Sequence, residues 1–438
     1  MLRRALYAAD FARRGVAPFW RELDRFPRLS PAAARREMGE RLLQRVRHFG
    51  ARDDALPEWR EAARCTGPEA LWELWPSLPI ITKRDLQTRF HPRELLARGV
   101  AGRPSATGGS TGEPTPFLHD EAMVRAAAAT LFHARLRMGW RPGMPVIVVW
   151  GSERDIGRHQ SWQRRAIARL QNLHMVDGYV LDARTVERVM SLLGRFPRAA
   201  VYGFTSMLEY VAREALRNGD RRGHGRVVAA WNGGEMLFAE QSALFEAAFG
   251  VPILNLYGGR ELSAMAFQPA AGLPLRVLRP LLHVEVVDGD GRPVGPGEPG
   301  RLLWTSTVCG ATPFLRYAVG DLGSFDDDGR DESGIHTLAG LQGREAGLVR
   351  LASGRTINSL YWNHLFKDFP EVEQFQVAWL HDATAVELRL RGTPFSPERE
   401  RHLRSVAALV LERVPVELRW VERIPLTAQG KLVQVVRE

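Results

Sequence analysis

The sequence predicts an α/β fold. A large N-terminal domain of mostly parallel sheets flanked by helices carries an antiparallel β subdomain, and a small α+β domain follows at the C-terminus. Three observations predict this. Short β-branched apolar runs at 145–150, 199–204, 226–234 and 251–259 end in Gly or a polar residue and alternate with helical stretches, as in parallel α/β sheets. From 276 to 340 the pattern becomes alternation every second residue, broken by Gly and Pro, as in antiparallel hairpins. After 343, "AVELRLR", "ERHLRSVAALVLERV" and "PVELRWVERIP" read as strand, amphipathic helix and strand. The expected boundaries are a core over 1–342 and a C-terminal domain over 343–438. The core divides into a helical lead-in (1–100), an α/β part (101–275) and an antiparallel part (276–342).

Within the lead-in, "SPAAARREMGERLLQRVRHF" opens on Ser-Pro and places Met38, Leu42, Val46 and Phe49 at helical spacing. In "LPIITKRDL", Thr82 reads as an N-cap with Asp85 three residues on. In parallel sheets the site gathers at the carboxyl ends of the strands, so the polar residues after these runs are the candidates. "FDDDGRDESG" lacks the alternating ligand spacing of a calcium loop and reads as a hairpin tip.

The 438 residues suffice for two or three domains and a large core. No run of about 18 apolar residues indicates a transmembrane helix. The basic N-terminus has no continuous apolar stretch, so a secretory signal is not expected and a cytoplasmic location is. Cys65 and Cys309 are the two cysteines, which excludes a disulfide framework and a thiolate zinc site. The net charge of +10 is spread along the chain. A solvated face explains basic stretches such as "RHQSWQRRAIARLQ" better than specific nucleic-acid binding, and a positive surface also draws polyanionic small molecules.

The segment "ATGGSTGEPTPF" (106–117) concentrates Gly and hydroxyl residues without a Lys. It lacks the Walker spacing, yet backbone N–H groups and hydroxyls can cradle phosphates by themselves. Taken alone, it reads equally well as an ordinary turn. Four further segments stand in a fixed order behind it: "NLYGGRELSAM", "FLRYAVGDLGSF", "GREAGLVRLASGRTIN" and "IPLTAQGKLVQV". In order and approximate spacing the five resemble the adenylate-forming superfamily of acyl-CoA synthetases, luciferases and adenylation domains. "TGGSTGEPT", "LPIITKRDL", "WNGGEM", "YGGRE" and "RYAVGDLG" are most similar to its phenylacetate-CoA ligase-like and CapK-type branch.

The resemblance implies a two-step reaction. A carboxylate attacks the α-phosphate of ATP to give an acyl-adenylate and pyrophosphate, and an acceptor then takes the acyl group. It implies ATP, Mg²⁺ and CoA as cofactors, a small carboxylic acid as substrate, and a monomer or dimer. Transfer to an amine or a sugar hydroxyl is the alternative, and a non-catalytic ATP-binding regulator a second one. By the resemblance, Thr107, Gly109, Ser110, Thr111 and Gly112 form the phosphate loop, with Thr111 catalytic. Gly233, Gly234 and Glu235 lie along the adenine, and Tyr257 packs on its ring. Gly258 and Arg260 join the ATP set, Glu261 is catalytic and holds Mg²⁺, and Asp321 takes the ribose hydroxyls. Arg344 reaches the ribose or phosphates, and Lys431 bridges the carboxylate and the α-phosphate. The C-terminal domain becomes a mobile lid. Trp150 and Phe204 are added as pocket-lining candidates. Four positions depart from the pattern. Gly108 replaces a Ser, Thr115 a Lys and Arg260 a Thr or Ser. Gly347 replaces a hinge Asp, which leaves the domain rotation without its usual pivot.

Overall fold

A computed structural model describes residues 11–107, 114–150, 168–178, 181–330, 336–344, 349–351, 356–357, 362, 365–366, 369–380, 384–411, 414–426 and 432–438. The lead-in is helical: α1 (Ala17–Arg25), α2 (Pro31–Gly50), α3 (Pro57–Ala62), α4 (Pro68–Leu74), α5 (Lys83–Gln87) and α6 (Pro92–Ala97). Pro31, Pro57, Pro68 and Pro92 each occupy the first helical position, where the missing N–H costs nothing. Ser30 caps α2 by accepting from Ala33 N at 3.4 Å, and Met38, Leu42, Val46 and Phe49 are buried as their spacing requires. Thr82 and Asp85 form the expected capping box on α5, with Thr82 N donating to Asp85 Oδ2 at 2.8 Å.

A hairpin of β1 (Arg103–Ala106) and β2 (Pro116–His119) precedes α7 (Glu121–Arg137). Then come β3 (Val146–Trp150), β4 (Leu173–Asp177), α8 (Ala183–Arg195), β5 (Ala199–Gly203), α9 (Thr205–Arg217), β6 (Val227–Asn232), α10 (Ala239–Phe249) and β7 (Ile253–Leu254). The five strands form one parallel sheet in the order β4-β3-β5-β6-β7. The chain runs from β3 to β4 on one side and returns to β5 on the other. That reversal opens a crevice at the carboxyl ends of the strands. Apolar cores cover both faces of the sheet, so Val146–Val149 are all buried and read as a continuous apolar run.

Two expectations are corrected. The run 251–259 is not one strand. Asn255 splits it, exchanging hydrogen bonds with Gln268, and the following β8 (Leu256–Gly259) leaves the parallel sheet. It pairs antiparallel with β9 (Ser263–Phe267), which pairs with β10 (Arg276–Val277). Residues 101–275 therefore hold a parallel sheet and two small antiparallel ones. The sequence reading also passed over β4, whose "LHMVD" carries too few apolar residues to stand out. Of the basic stretch 158–171, residues 158–167 lie outside the described set.

The alternating region folds as expected into four antiparallel strands: β11 (Leu282–Val287), β12 (Gly300–Ser306), β13 (Tyr317–Arg330) and β14 (His336–Arg344). Arg316 ties this sheet to the lead-in. Its guanidinium sits 3.1 Å from Glu285 and donates to the carbonyls of Pro76, Leu78 and Gly291.

Residues from Leu351 on share a separate core built on Trp362, Trp379, Leu388 and Leu403. A short pair, β15 (Val349–Arg350) and β16 (Thr356–Ile357), leads into it. Next come β17 (Val372–Leu380), β18 (Ala385–Gly392), α11 (Pro397–Val410), β19 (Val416–Trp420) and β20 (Val435–Arg437). The four last strands form one sheet in the order β19-β18-β17-β20. No described helix is long and apolar enough to cross a membrane.

His283 carries a pH prediction. It lies edge-on to Trp72 and Trp75, and burial, with Arg279 and Arg316 nearby, lowers its pKa from 6.5 to about 3. The unfolded chain therefore binds a proton below pH 6.5 that the folded chain refuses until about pH 3. Stability is complete above 6.5 and is lost as pH falls through that window, by about 1.4 kcal/mol per pH unit for one proton. In denaturant titrations between pH 7.5 and 4.5, His283→Phe should flatten this loss. An acid limb as steep as the wild type's would assign it to other groups.

Candidate active site

A cleft of about 480 Å³ opens beyond the carboxyl ends of β5 and β6. One wall comprises Ser206, Gly234, Glu235, Tyr257, Gly258, Asp321 and Arg344; the other comes from the C-terminal unit, with Phe369, Phe375, Arg391 and Leu432. The structure thus brings six of the expected residues together: Gly234, Glu235, Tyr257, Gly258, Asp321 and Arg344.

Asn232, the last residue of β6, organises the floor. Fully buried, it donates to Thr205 Oγ1 and to the Glu235 carbonyl, both at 2.9 Å, and accepts from Leu256 N at 3.0 Å. One side chain thereby joins the start of α9, the Gly-Gly-Glu turn and the strand bearing Tyr257. Gly234 takes φ +73°, in the left-handed region that only glycine adopts without strain. The Glu235 carboxylate turns to the start of α9, where it accepts from Ser206 N at 2.9 Å and Ser206 Oγ at 3.1 Å. It also accepts from Leu432 N at 3.2 Å. The backbone of the turn is what remains for a flat ligand.

Tyr257 is buried, and its hydroxyl donates to Asp321 Oδ2 at 2.7 Å. Burial and then the Asp321 charge raise the phenol well above its usual pKa, so it stays a donor. Arg344 lies opposite Asp321 in the β13–β14 register, with Nε 3.3 Å from Asp321 Oδ1. Asp321 thus presents a carboxylate to the cleft with one oxygen oriented by a phenol and the other beside a guanidinium.

Glu261 follows the turn after β8, near the cleft but off its lining. Its Oε1 accepts from the Tyr317 hydroxyl at 3.3 Å, and Tyr317 and Asp321 share β13. His119, at the end of β2, donates from Nε2 to the Glu261 carbonyl at 2.7 Å. Burial holds this imidazole below its usual pKa, which favours the neutral ring. At the mouth of the hydroxyl-rich loop, Thr107 N donates to the Thr115 carbonyl and Thr115 N to Thr107 Oγ1, both at 2.9 Å. Gly109, Ser110, Thr111 and Gly112 lie outside the described residues, as do Gly347 and Lys431.

Other expected residues stand apart from the cleft. Gly233 is pressed against Tyr202, where a Cβ would come within 2.7 Å of its hydroxyl. Arg260 is half-buried in the β8–β9 turn. Trp150 and the fully buried Phe204 stack on each other at 3.9 Å between ring centres and do not line the cleft. Sequence reasoning missed Asn232, Ser206, His119 and Tyr317. Tyr317 and Asn232 stand inside quoted motifs, whereas nothing local marks Ser206 or His119.

Among the described residues no group of three or more His, Cys, Asp or Glu side chains could hold a metal. A single carboxylate still fits Mg²⁺, which is commonly bound by one or two carboxylates plus substrate phosphates. Glu261 Oε2 has room for this, because a Cβ at Gly259 would stand 3.0 Å from it and glycine keeps that flank open.

No protein-family profile matches the chain. It is 26% identical over 260 residues to phenylacetate-coenzyme A ligase of Thermus thermophilus, covering 56% of this chain and 55% of that protein. It is 22% identical over 289 residues to protein CapK of Staphylococcus aureus, covering 62% and 61%. The chain thus spans just over half the length of these curated relatives. A crystal structure of 2-hydroxyisobutyryl-CoA ligase in the postadenylation state superposes with a TM-score of 0.70 at 18% identity, covering 95% of this chain and 92% of that one. The same ligase in the thioesterification state gives 0.58. In sequence the chain is thus similar to an acyl-CoA-forming ligase, and in fold to a solved structure of another. Its sequence likeness is to phenylacetate-CoA ligase and CapK-type proteins.

Proposed function

We propose that the chain uses ATP to convert a carboxylic acid into an acyl-adenylate, with release of pyrophosphate, and then passes the acyl group to CoA. The observation that carries this reading is the Tyr257–Asp321–Arg344 constellation, which faces the cleft beside the Gly-Gly-Glu turn. A carboxylate with an oriented oxygen accepts two ribose hydroxyls at once. The adenine lies along the backbone of Gly234 and Glu235 against Tyr257, with the phosphates toward the β1–β2 loop and Glu261. Ser110, Thr111 and the backbone of Gly109 and Gly112 cradle them. Glu261 would hold Mg²⁺, which supplies charge neutralisation when two anions meet. Tyr317 and His119 fix the Glu261 side chain and backbone for that task. Lys431 meets the carboxylate and the α-phosphate.

The separate core from Leu351 on supports a mobile C-terminal domain over 343–438, pivoting near Gly347. The test is pyrophosphate exchange into ATP over a panel of carboxylic acids, followed by addition of CoA or of amines to the competent acid. Exchange dependent on an acid supports the first step, and thioester formation the second. ATP binding without exchange for any acid would sink the reading.

Glu261→Gln tests the metal assignment. The amide still accepts from Tyr317 but lacks the charge that a hard cation requires. Turnover should fall on the order of 10²-fold, with a far higher Mg²⁺ requirement. An unchanged magnesium titration would move the ligand elsewhere.

A further inference from the structure

We infer that Glu235 is a positioning residue that latches the C-terminal segment onto the parallel sheet. Its carboxylate would hold residues 432–438 in the pose used for adenylation. The inference rests on the proposed reading only in that Lys431 immediately precedes this segment.

The start of α9 needs an acceptor. Its N-cap is Phe204, which makes no side-chain cap hydrogen bond, so the first-turn N–H groups turn elsewhere. Glu235 supplies the acceptor from the next crossover, taking both Ser206 N and Ser206 Oγ. A carboxylate is favoured there by the helix dipole as well. The cap thereby pins the side chain, and the pinned Oε1 is the atom that also accepts Leu432 N. Asn232 fixes the other end of the residue by donating to the Glu235 carbonyl.

Leu432 is equally well anchored on its own side. It forms an antiparallel bridge with Leu426. Gln376 Nε2 donates to the Val433 carbonyl at 2.9 Å, Val377 N donates to the Gln434 carbonyl at 2.7 Å, and β20 pairs with β17. A hydrogen bond to Leu432 N therefore acts on the whole C-terminal sheet. A second contact crosses the same boundary, Arg217 at 3.5 Å from Glu373, but Arg217 is 58% exposed and such pairs contribute little. Glu235 is half-buried, and its bond joins a charged acceptor to a backbone donor. Bonds of that kind are worth about tenfold or more in an opening equilibrium.

The test is hydrogen exchange on the full-length chain, comparing Glu235→Ala and Glu235→Gln with wild type. Amides in 432–438 should exchange about tenfold faster in the Ala variant, while β3 and β5 stay protected. The Gln variant keeps one acceptor oxygen and should fall between. It also decides the matter should the Ala variant not fold. With a competent acid, kcat for pyrophosphate exchange should drop while the KM for ATP holds, and transfer from a synthetic acyl-adenylate should persist. Faster exchange confined to 205–210 would make Glu235 only a helix cap, and unchanged protection at 432–438 would likewise overturn the latch. A raised KM for ATP with 432–438 still protected would return the side chain to the nucleotide site. Should no acid support exchange in wild type, the proposed reaction falls, yet the protection of 432–438 still decides the latch.

Discussion

Asp321→Ala should lower ATP affinity by at least about tenfold, and by more if both ribose hydroxyls donate to it. Each hydrogen bond to a charged acceptor contributes about 1.5–3 kcal/mol, and about 1.4 kcal/mol is a factor of ten. The substitution also takes the acceptor from Tyr257, whose buried hydroxyl bonds Asp321 at 2.7 Å. Stranding a buried donor costs about 1–3 kcal/mol in itself. Tyr257→Phe separates the two effects, because it removes the phenol and leaves the carboxylate. Its effect on ATP affinity should be well below that of Asp321→Ala. Arg344 will not rescue the site, since its side chain is 43% exposed and an exposed pair contributes about 1 kcal/mol at most. Calorimetry with ATP checks both variants. ATP bound by Asp321→Ala as tightly as by wild type would remove the ribose from this carboxylate. An equal loss in both variants would mean that the phenol, not the carboxylate, reads the nucleotide.

Much of the fold was legible because its signals are local. Ser30, Thr82 and Asp85 cap the helices their spacing announces, and the alternation of 282–306 yields the antiparallel strands it requires. Strands β3, β5 and β6 stood out as apolar runs because both sheet faces are covered. The split at Asn255 did not, since Asn255 is answered by Gln268 just past the end of β9 and the apolar pattern continues at Leu254 and Leu256. The site divides the same way. Tyr257, Asp321 and Arg344 lie in motifs whose order marked them, and β8, β13 and β14 bring them to one cleft. His119 reaches the Glu261 carbonyl across 142 positions, and Ser206 reaches Glu235 across 29. Such ties need the sheet order before they exist, and no periodicity encodes them.

Lys431→Ala should separate the two half-reactions. Lys431 itself lies outside the described residues, but its neighbour Leu432 borders the cleft beside Glu235. A lysine delivered there would meet the carboxylate and α-phosphate as negative charge is redistributed, so it contributes most in the transition state. Loss of such a stabilising group costs about 10²–10³ in rate. Acyl transfer to the acceptor is proposed to use another orientation of the C-terminal domain, reached by rotation near Arg344 to Gly347. In that orientation the lysine has no anion to neutralise. The variant should therefore fail in pyrophosphate exchange and still transfer the acyl group from a synthetic acyl-adenylate. Glu235→Gln provides the comparison, because it loosens the approach of the segment and leaves the ammonium in place. It should slow the same half-reaction by less than about tenfold, against the roughly 10²–10³ of the lysine variant. Equal losses in both half-reactions of a folded Lys431→Ala protein would end the case for domain alternation in this chain. No loss in either would reduce "QGK" to a hairpin turn and leave adenylation without its cation.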